Sequence, residues 1–356
     1  MRIAAYITGH GYGHARRGSL ILRALYQRIP QLQIFVKTTA PRWLFRNLTH
    51  FLDYNQIAVD VAPVQDDAFD LNVHDTVKAL NQWIMRNEDW THAETSWLKE
   101  NHIDLVISDI SPWVSPAAHR AGIPSVLIAN FTWDWIYSNL SGEYNELESI
   151  IPVLSSHYSR FDWVFVPEPA APISCNAYPI SVGMIGEQCQ YSREDIRKRL
   201  SLPNNKPVVL ITFGGIGART FEYEKLNHTN QFVFLSTEPR SELKHCIAFD
   251  PRTVDHSCLV QAADIVVGKL GYGTVVESII HGTPILYTAR DNWPENRILA
   301  DSVHDRLPAR ILPRERFFSC DWLDPLNALM GDPGREPQCA YGADQIATIL
   351  SRGLTG

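Results

Sequence analysis

Short runs of apolar, often β-branched residues alternate along the chain with longer stretches in which apolar positions recur every three or four residues. The first kind reads as buried strand, the second as amphipathic helix. In the first half this predicts strands over residues 2–8, 33–37, 57–61, 104–108, 125–129 and 162–166, and helices over 15–28 and 73–100. An Ala-rich helix is expected between the strands at 104–108 and 125–129. The run Pro167-Glu168-Pro169-Ala170-Ala171-Pro172, followed by Gly183 and Gly186, breaks the pattern. It resumes with strands over 207–213, 231–235, 247–249, 264–267 and 283–287, and helices over 254–262, 274–281, 294–301 and 343–350. Strand–helix alternation with short apolar strands means parallel sheets covered on both faces. The expected fold is therefore α/β, with two Rossmann-like doubly wound domains facing across a cleft. Residues 1–186 form one, 187–340 the other, and 341–356 a terminal helix.

In open parallel sheets ligands sit beyond the carboxyl ends of the strands, so the turns there carry the candidate chemistry. The first is Thr8-Gly9-His10-Gly11-Tyr12-Gly13-His14-Ala15-Arg16-Arg17. Its glycines allow a tight turn and close backbone approach to a ligand. A histidine at a helix start meets the positive dipole end, which favours the neutral imidazole a general base needs. His14 is nearest the helix and is the first candidate, with His10 beside it. Arg16 and Arg17 oppose the acidic preference of a first helical turn, which points to an anion nearby or to arginines reaching solvent.

The second turn is Val267-Gly268-Lys269-Leu270-Gly271-Tyr272-Gly273-Thr274-Val275-Val276-Glu277. Gly271 and Gly273 would let backbone N–H groups reach phosphate oxygens, Thr274 can cap the helix, and Glu277 can accept two ribose hydroxyls. Another glycine cluster, Gly214-Gly215-Ile216-Gly217, should line the same cleft. Trp83, Trp90 and Trp97 recur every seven residues, as a core stripe or a sugar-stacking platform would. Trp133, Asp134 and Tyr137 follow a strand end, where aromatic faces and a carboxylate would suit a polyol or glycan acceptor.

Composition removes several classes. With 45% hydrophobic and 20% charged residues the chain can bury large cores. A net charge of −7 argues against a nucleic-acid partner. No apolar run reaches the ~18 residues of a membrane span, so no integral membrane association is expected. Six scattered cysteines lack zinc-ligand spacing and suggest a reducing, cytoplasmic setting, with no metal site expected.

The Gly/His loop and the late Gly-x-Gly-Thr-x-x-Glu pattern of Gly271 to Glu277 resemble the GT-B glycosyltransferases, in particular the MurG-like superfamily. Val106-Ile107-Ser108-Asp109-Ile110-Ser111-Pro112 and Ile128-Ala129-Asn130-Phe131-Thr132-Trp133-Asp134-Trp135-Ile136-Tyr137 are closer to the glycosyltransferase-like N-terminal half of plant L-arabinokinase. The resemblance implies a nucleotide-sugar donor, UDP-type, held by the C-terminal half through Gly214, Gly215, Lys269, Gly271, Tyr272, Gly273, Thr274, Glu277, Asp291, Glu295 and Asn296, with Gly13 of the first loop against it. It implies a small-molecule or glycan acceptor held by the N-terminal half near His10, Arg16, Trp133, Asp134 and Tyr137. His14 falls at the base-type histidine and Asp109 near the aspartate that orients it; the terminal helix would cross back to the N-terminal domain. Retaining members usually carry Glu-x7-Glu ending at the Glu277 position. Lys269 at the first position implies inversion without an obligatory metal, phosphate charge being met by helix N–H groups, Lys269 or Arg219. A nucleotide-sugar hydrolase, an epimerase and a non-catalytic nucleotide-sugar binding protein are the alternatives on the same fold.

Overall fold

The computed structural model describes residues 1–48, 52–214, 221–239, 241–290, 292–332 and 335–355. Among these, seven strands form one sheet: β1 (Arg2–Ile7), β2 (Gln33–Thr38), β3 (Leu52–Gln56), β4 (Leu105–Asp109), β5 (Ser125–Ile128), β6 (Trp163–Pro167) and β7 (Pro179–Val182). Six form a second: β8 (Val208–Thr212), β9 (Val233–Ser236), β10 (Cys246–Ala248), β11 (Ile265–Gly268), β12 (Ile285–Thr288) and β13 (Ala309–Leu312). The helices of the first half are α1 (Tyr12–Arg28), α2 (Val73–Glu100), α3 (Ser115–Ala121), α4 (Trp133–Leu140) and α5 (Ile151–Tyr158). Those that follow are α6 (Arg193–Arg199), α7 (His256–Ala262), α8 (Tyr272–His281), α9 (Glu295–Arg306), α10 (Arg314–Phe318), α11 (Leu323–Gly331) and α12 (Gly342–Thr355).

The strand orders are β3-β2-β1-β4-β5-β6-β7 and β10-β9-β8-β11-β12-β13, with every pairing parallel. Each order reverses beside its first strand, at β1/β4 and at β8/β11, and ligand crevices form at such reversals. Central strands β4, β5, β8, β9, β11 and β12 are buried at every position, because helices cover both faces. Apolar clusters lie on each side of each sheet.

Edge strands differ from expectation. The strand expected over 57–61 is instead β3, one step earlier. The apolar alternation of Ile57, Val59 and Val61 marks packing beside the sheet: Val59 is buried, and its carbonyl accepts from Ser111 Oγ at 2.8 Å. β7 and β13 escape the hydrophobic pattern because an edge strand needs little apolar surface. β7 even begins with Pro179, which an edge tolerates.

The tryptophan stripe of α2 packs inward. Trp90 meets Tyr6 edge-on at 6.3 Å and Trp97 meets Phe35 at 5.6 Å. Lys37 sits over Trp97 at 3.4 Å and pairs with Glu94 at 2.6 Å. At the other end of the chain, Ile346, Ala347 and Leu350 of α12 are buried in one cluster with Ile21, Leu22 and Leu25 of α1.

Candidate active site

The two sheet reversals face one another. The turns after β1, β8 and β11 line one cavity of about 1240 Å³, its open mouth included. The glycine loops make this closeness possible. Gly11 has φ +74°, a conformation side chains disfavour. A Cβ on Gly13 would stand 3.8 Å from the Gly273 nitrogen, and one on Gly273 3.7 Å from Gly13 Cα, so the loops are in contact across the cleft. Tyr12 N–H donates to the Gly214 carbonyl at 3.4 Å.

On the first wall, α1 starts directly after this loop and presents His14 and, one turn on, Arg17. Both meet Asp109 at the end of β4. Asp109 Oδ1 accepts from His14 Nδ1 at 2.9 Å and from Arg17 Nη2 at 2.8 Å, and Oδ2 accepts from Arg17 Nε at 2.8 Å. Burial would raise the Asp109 pKa, but the Arg17 charge and the bonds from His14 and Arg17 outweigh it and hold the carboxyl below its ordinary value. An ionised carboxylate only accepts, so Nδ1 is the nitrogen that donates to it, and Nε2 is the one free to take a proton from a substrate. His14 lines the cavity. The anion that the arginine pair foretold is therefore internal for Arg17. Its guanidinium also donates to Asn130 Oδ1 at 2.6 Å.

On the second wall, α8 begins with Gly271 as N-cap and no side-chain cap, so its first N–H groups open on the cavity. Thr274 and Glu277 line the same space. Glu277 Oε2 accepts from His256 Nδ1 at 2.5 Å, and His256 Nε2 is hydrogen-bonded to Thr212 Oγ1 at 3.0 Å. Burial opposes ionisation of Glu277, but the His256 charge and hydrogen bond, with help from Arg16, bring its pKa below the usual value.

Between the walls lie Lys269, Arg290, Trp293 and His10. Burial first, then Arg290, brings Lys269 down to about 7, against the pull of Glu295 and Asp67. Burial brings Arg290 to about 10. Burial, then His14, Lys269 and Arg290, push His10 well below an ordinary histidine. The His10 ring stacks on Trp293 at 5.5 Å and meets Trp133 edge-on at 5.7 Å. Nearby, burial raises Asp60 to about 6, against hydrogen bonds from Thr8 and Trp133.

Of the residues singled out in the sequence, His10, Gly13, His14, Arg16, Gly214, Lys269, Gly271, Tyr272, Gly273, Thr274, Glu277 and Glu295 line the cavity. Asp109 stands behind His14. Tyr272 Oη reaches the chain linking the halves, accepting from Ile185 N–H at 3.1 Å. Glu295 is already engaged, accepting from Asn130 Nδ2 at 2.6 Å and Trp293 Nε1 at 3.0 Å. Asn296 is buried behind it, away from the cavity lining. Arg16 lies toward Glu277 rather than toward the aromatic side expected for an acceptor.

Asp134 and Tyr137, expected on the acceptor side, do not line the cavity. Asp134 accepts from Ser155 Oγ at 2.7 Å, tying α4 to α5, and Tyr137 is packed in the core. Tyr137 stacks on Trp133 at 6.1 Å. Trp133 is likewise buried and meets the cavity-lining His10, Phe131 and Trp293 at 5.7, 5.1 and 6.4 Å. Gly215, Asp291 and Arg219 lie outside the described residues. Sequence reasoning gave no individual role to His256, Arg290, Trp293 and Asn130. For Arg290 and Trp293 the signal was present, an arginine and a tryptophan directly after a buried strand; His256 carried none.

Comparisons with known proteins agree with this architecture. No family model matches the chain. It is 28% identical over 311 residues to L-arabinokinase of Arabidopsis thaliana, a match covering 84% of this chain and 29% of that protein. It is 24% identical over 183 residues to an uncharacterised glycosyltransferase of Methanosarcina mazei, covering 46% of this chain and 49% of that one. The chain thus spans less than half of either relative. Among solved structures it resembles the kitacinnamycin glycotransferase (TM-score 0.63, 15% identity, 99% of this chain and 94% of that one). MurG of Acinetobacter baumannii matches with TM-score 0.55 and 13% identity over 99% of both chains. The UDP-GlcNAc 2-epimerase of Neisseria meningitidis, bound to UDP-GlcNAc, matches with TM-score 0.58 and 15% identity over 100% of both. The chain has the GT-B fold. No helix among the described residues is long and apolar enough to cross a membrane.

Proposed function

We propose that the chain is an inverting glycosyltransferase that moves a sugar from a nucleoside-diphosphate donor of UDP type to an acceptor hydroxyl. The observation carrying this reading is the His14–Asp109–Arg17 group on one wall of a cavity whose other wall is the uncapped start of α8. The acceptor O–H gives its proton to His14 Nε2 as its oxygen bonds to the anomeric carbon. The bond from that carbon to the diphosphate oxygen breaks on the opposite face, and its electron pair leaves with the diphosphate. The α8 N–H groups and Thr274 receive the charge, with no metal required in this scheme. Asp109 holds the imidazole and stabilises it once protonated, as a triad carboxylate does. Glu277, held by His256, takes the ribose hydroxyls. The acceptor is a small molecule or glycan entering from the His10 side, and the setting is cytoplasmic.

The test is turnover with a nucleotide-sugar panel, with and without an acceptor panel. Transfer needs the acceptor, and His14→Ala removes turnover while nucleotide affinity stays within a few-fold. Equal turnover by wild type and His14→Ala would remove the base. The epimerase likeness supports a second reading on the same assay. An isomerised sugar still on its nucleotide indicates epimerisation, and nucleotide release without acceptor indicates hydrolysis.

A further inference from the structure

We propose that the sugar on the donor carries a carboxylate, and that Lys269 and Arg290 together bind it. This rests on the nucleotide-sugar reading and names the class of sugar. β11 and β12 pair in register, Gly268 beside Tyr287, so the residues that follow them emerge side by side at the carboxyl end of the second sheet. Lys269 is 9% exposed and Arg290 4%, and both line the cavity.

Neither makes an ion pair among the described residues. Arg290 Nε and Nη2 are buried without a hydrogen-bond partner there. Its guanidinium lies 4.6 Å over the Trp293 ring, which holds the plane of the fork. The neighbouring carboxylates act on the pair by charge, but their hydrogen bonds go elsewhere. Glu295 takes Asn130 and Trp293, Asp67 accepts the Phe69 and Asp70 N–H groups, and Asp70 pairs with Arg314.

The protein's other deeply buried cations show what is missing. Arg17 has Asp109 and Lys37 has Glu94. A buried charge is costly unless it is paired, and Glu295, hydrogen-bonded only to the neutral Asn130 and Trp293, is the nearest anion to both cations; a second anion supplied from outside would let Lys269 and Arg290 both stay charged. The diphosphate has a separate receptor in the open start of α8. A carboxylate fits the remaining pair: the fork of Arg290 can bind its two oxygens and Lys269 adds a point charge. Both cations belong to the donor-side sheet, which places the carboxylate on the transferred sugar rather than on the acceptor.

Calorimetric titration of the full chain with UDP, UDP-glucose and UDP-glucuronate tests this. Wild type should bind UDP-glucuronate about tenfold or more tighter than UDP-glucose, the scale of a charge-assisted hydrogen bond. Lys269→Met and Arg290→Gln should each erase that preference while leaving UDP affinity within about threefold. If both variants weaken UDP, UDP-glucose and UDP-glucuronate equally, the cations serve the diphosphate and the inference falls. UDP binding with no preference between the sugars overturns the inference alone. Absence of binding by UDP and by every other nucleotide in the panel overturns the donor-site reading and the inference with it. Free glucuronate added to UDP-saturated protein is the control for an acidic acceptor; tight binding there that depends on Arg290 would overturn the donor assignment. The ligand-free variants give an independent readout: removing an unpaired buried cation should leave the melting temperature unchanged or raised. A clear fall in both would show that the charges are already compensated, which overturns the inference.

Discussion

Arg17→Met deletes a guanidinium that is 2% exposed and makes three hydrogen bonds to oxygen, two to Asp109 at 2.8 Å and one to Asn130 at 2.6 Å, besides its 3.2 Å contact with His14 Nδ1. Methionine keeps much of the stem, so the main loss is electrostatic. Asp109, 1% exposed, is left with His14 alone. Breaking a buried ion pair by removing one partner costs about 3–5 kcal/mol. For a half of this size that is roughly 6–20 °C in melting temperature. The pH dependence identifies the cause. In the wild type the Asp109 pKa is below its unfolded value of about 3.9, so its stabilisation is present above that pH and fades as pH falls through the folded value. In the variant, burial acts without Arg17 and the folded pKa rises above the unfolded one. The destabilisation is then full at pH 8 and shrinks as pH falls toward about 4. Thermal melts followed by tryptophan fluorescence at pH 8 and pH 5 read this directly. Adding Asp109→Asn should return part of the loss, because the double change removes both charges. A fall below about 3 °C, or the same fall at both pH values, would refute the argument that Arg17 acts by compensating a buried carboxylate.

Two further outcomes are expected. Glu277→Ala should weaken nucleotide binding by about 1.5–3 kcal/mol in titration calorimetry through lost charge-assisted bonds; unchanged affinity removes Glu277 from the ribose. Gly268→Ala would set a Cβ 2.1 Å from the Thr212 carbonyl oxygen, where backbone must move, whereas Gly271→Ala meets nothing within 4 Å. The first should cost about 1–3 kcal/mol in denaturant unfolding and the second under about 0.5; equal costs would contradict the packing.

Much of the fold was legible because a strand buried on both faces leaves an unbroken apolar run. Val208–Thr212 and Leu105–Asp109 announce themselves this way. The turns were legible because backbone approach demands glycine, as at Gly11, Gly13 and Gly273. Edge strands β3, β7 and β13 were not, since one exposed side erases the apolar run. Proximity to a strand end does not by itself place a side chain in the cavity: Asp134 and Tyr137 lie just past β5, yet Asp134 bonds Ser155 and Tyr137 is buried in a core cluster.

Local pattern thus determined the two parallel sheets and the loops that hold His14 and Glu277. Tertiary structure alone decided the partners. Arg17 and Asp109 are 92 positions apart, Asn130 and Glu295 165 apart, and His256 reaches Glu277 only because α7 packs beside α8. Nothing in the spacing of Lys269 and Arg290 states that both are buried or that neither makes an ion pair among the described residues. Periodicity reports how deeply a segment is buried, while the charge balance of a site depends on which strands the parallel register sets side by side.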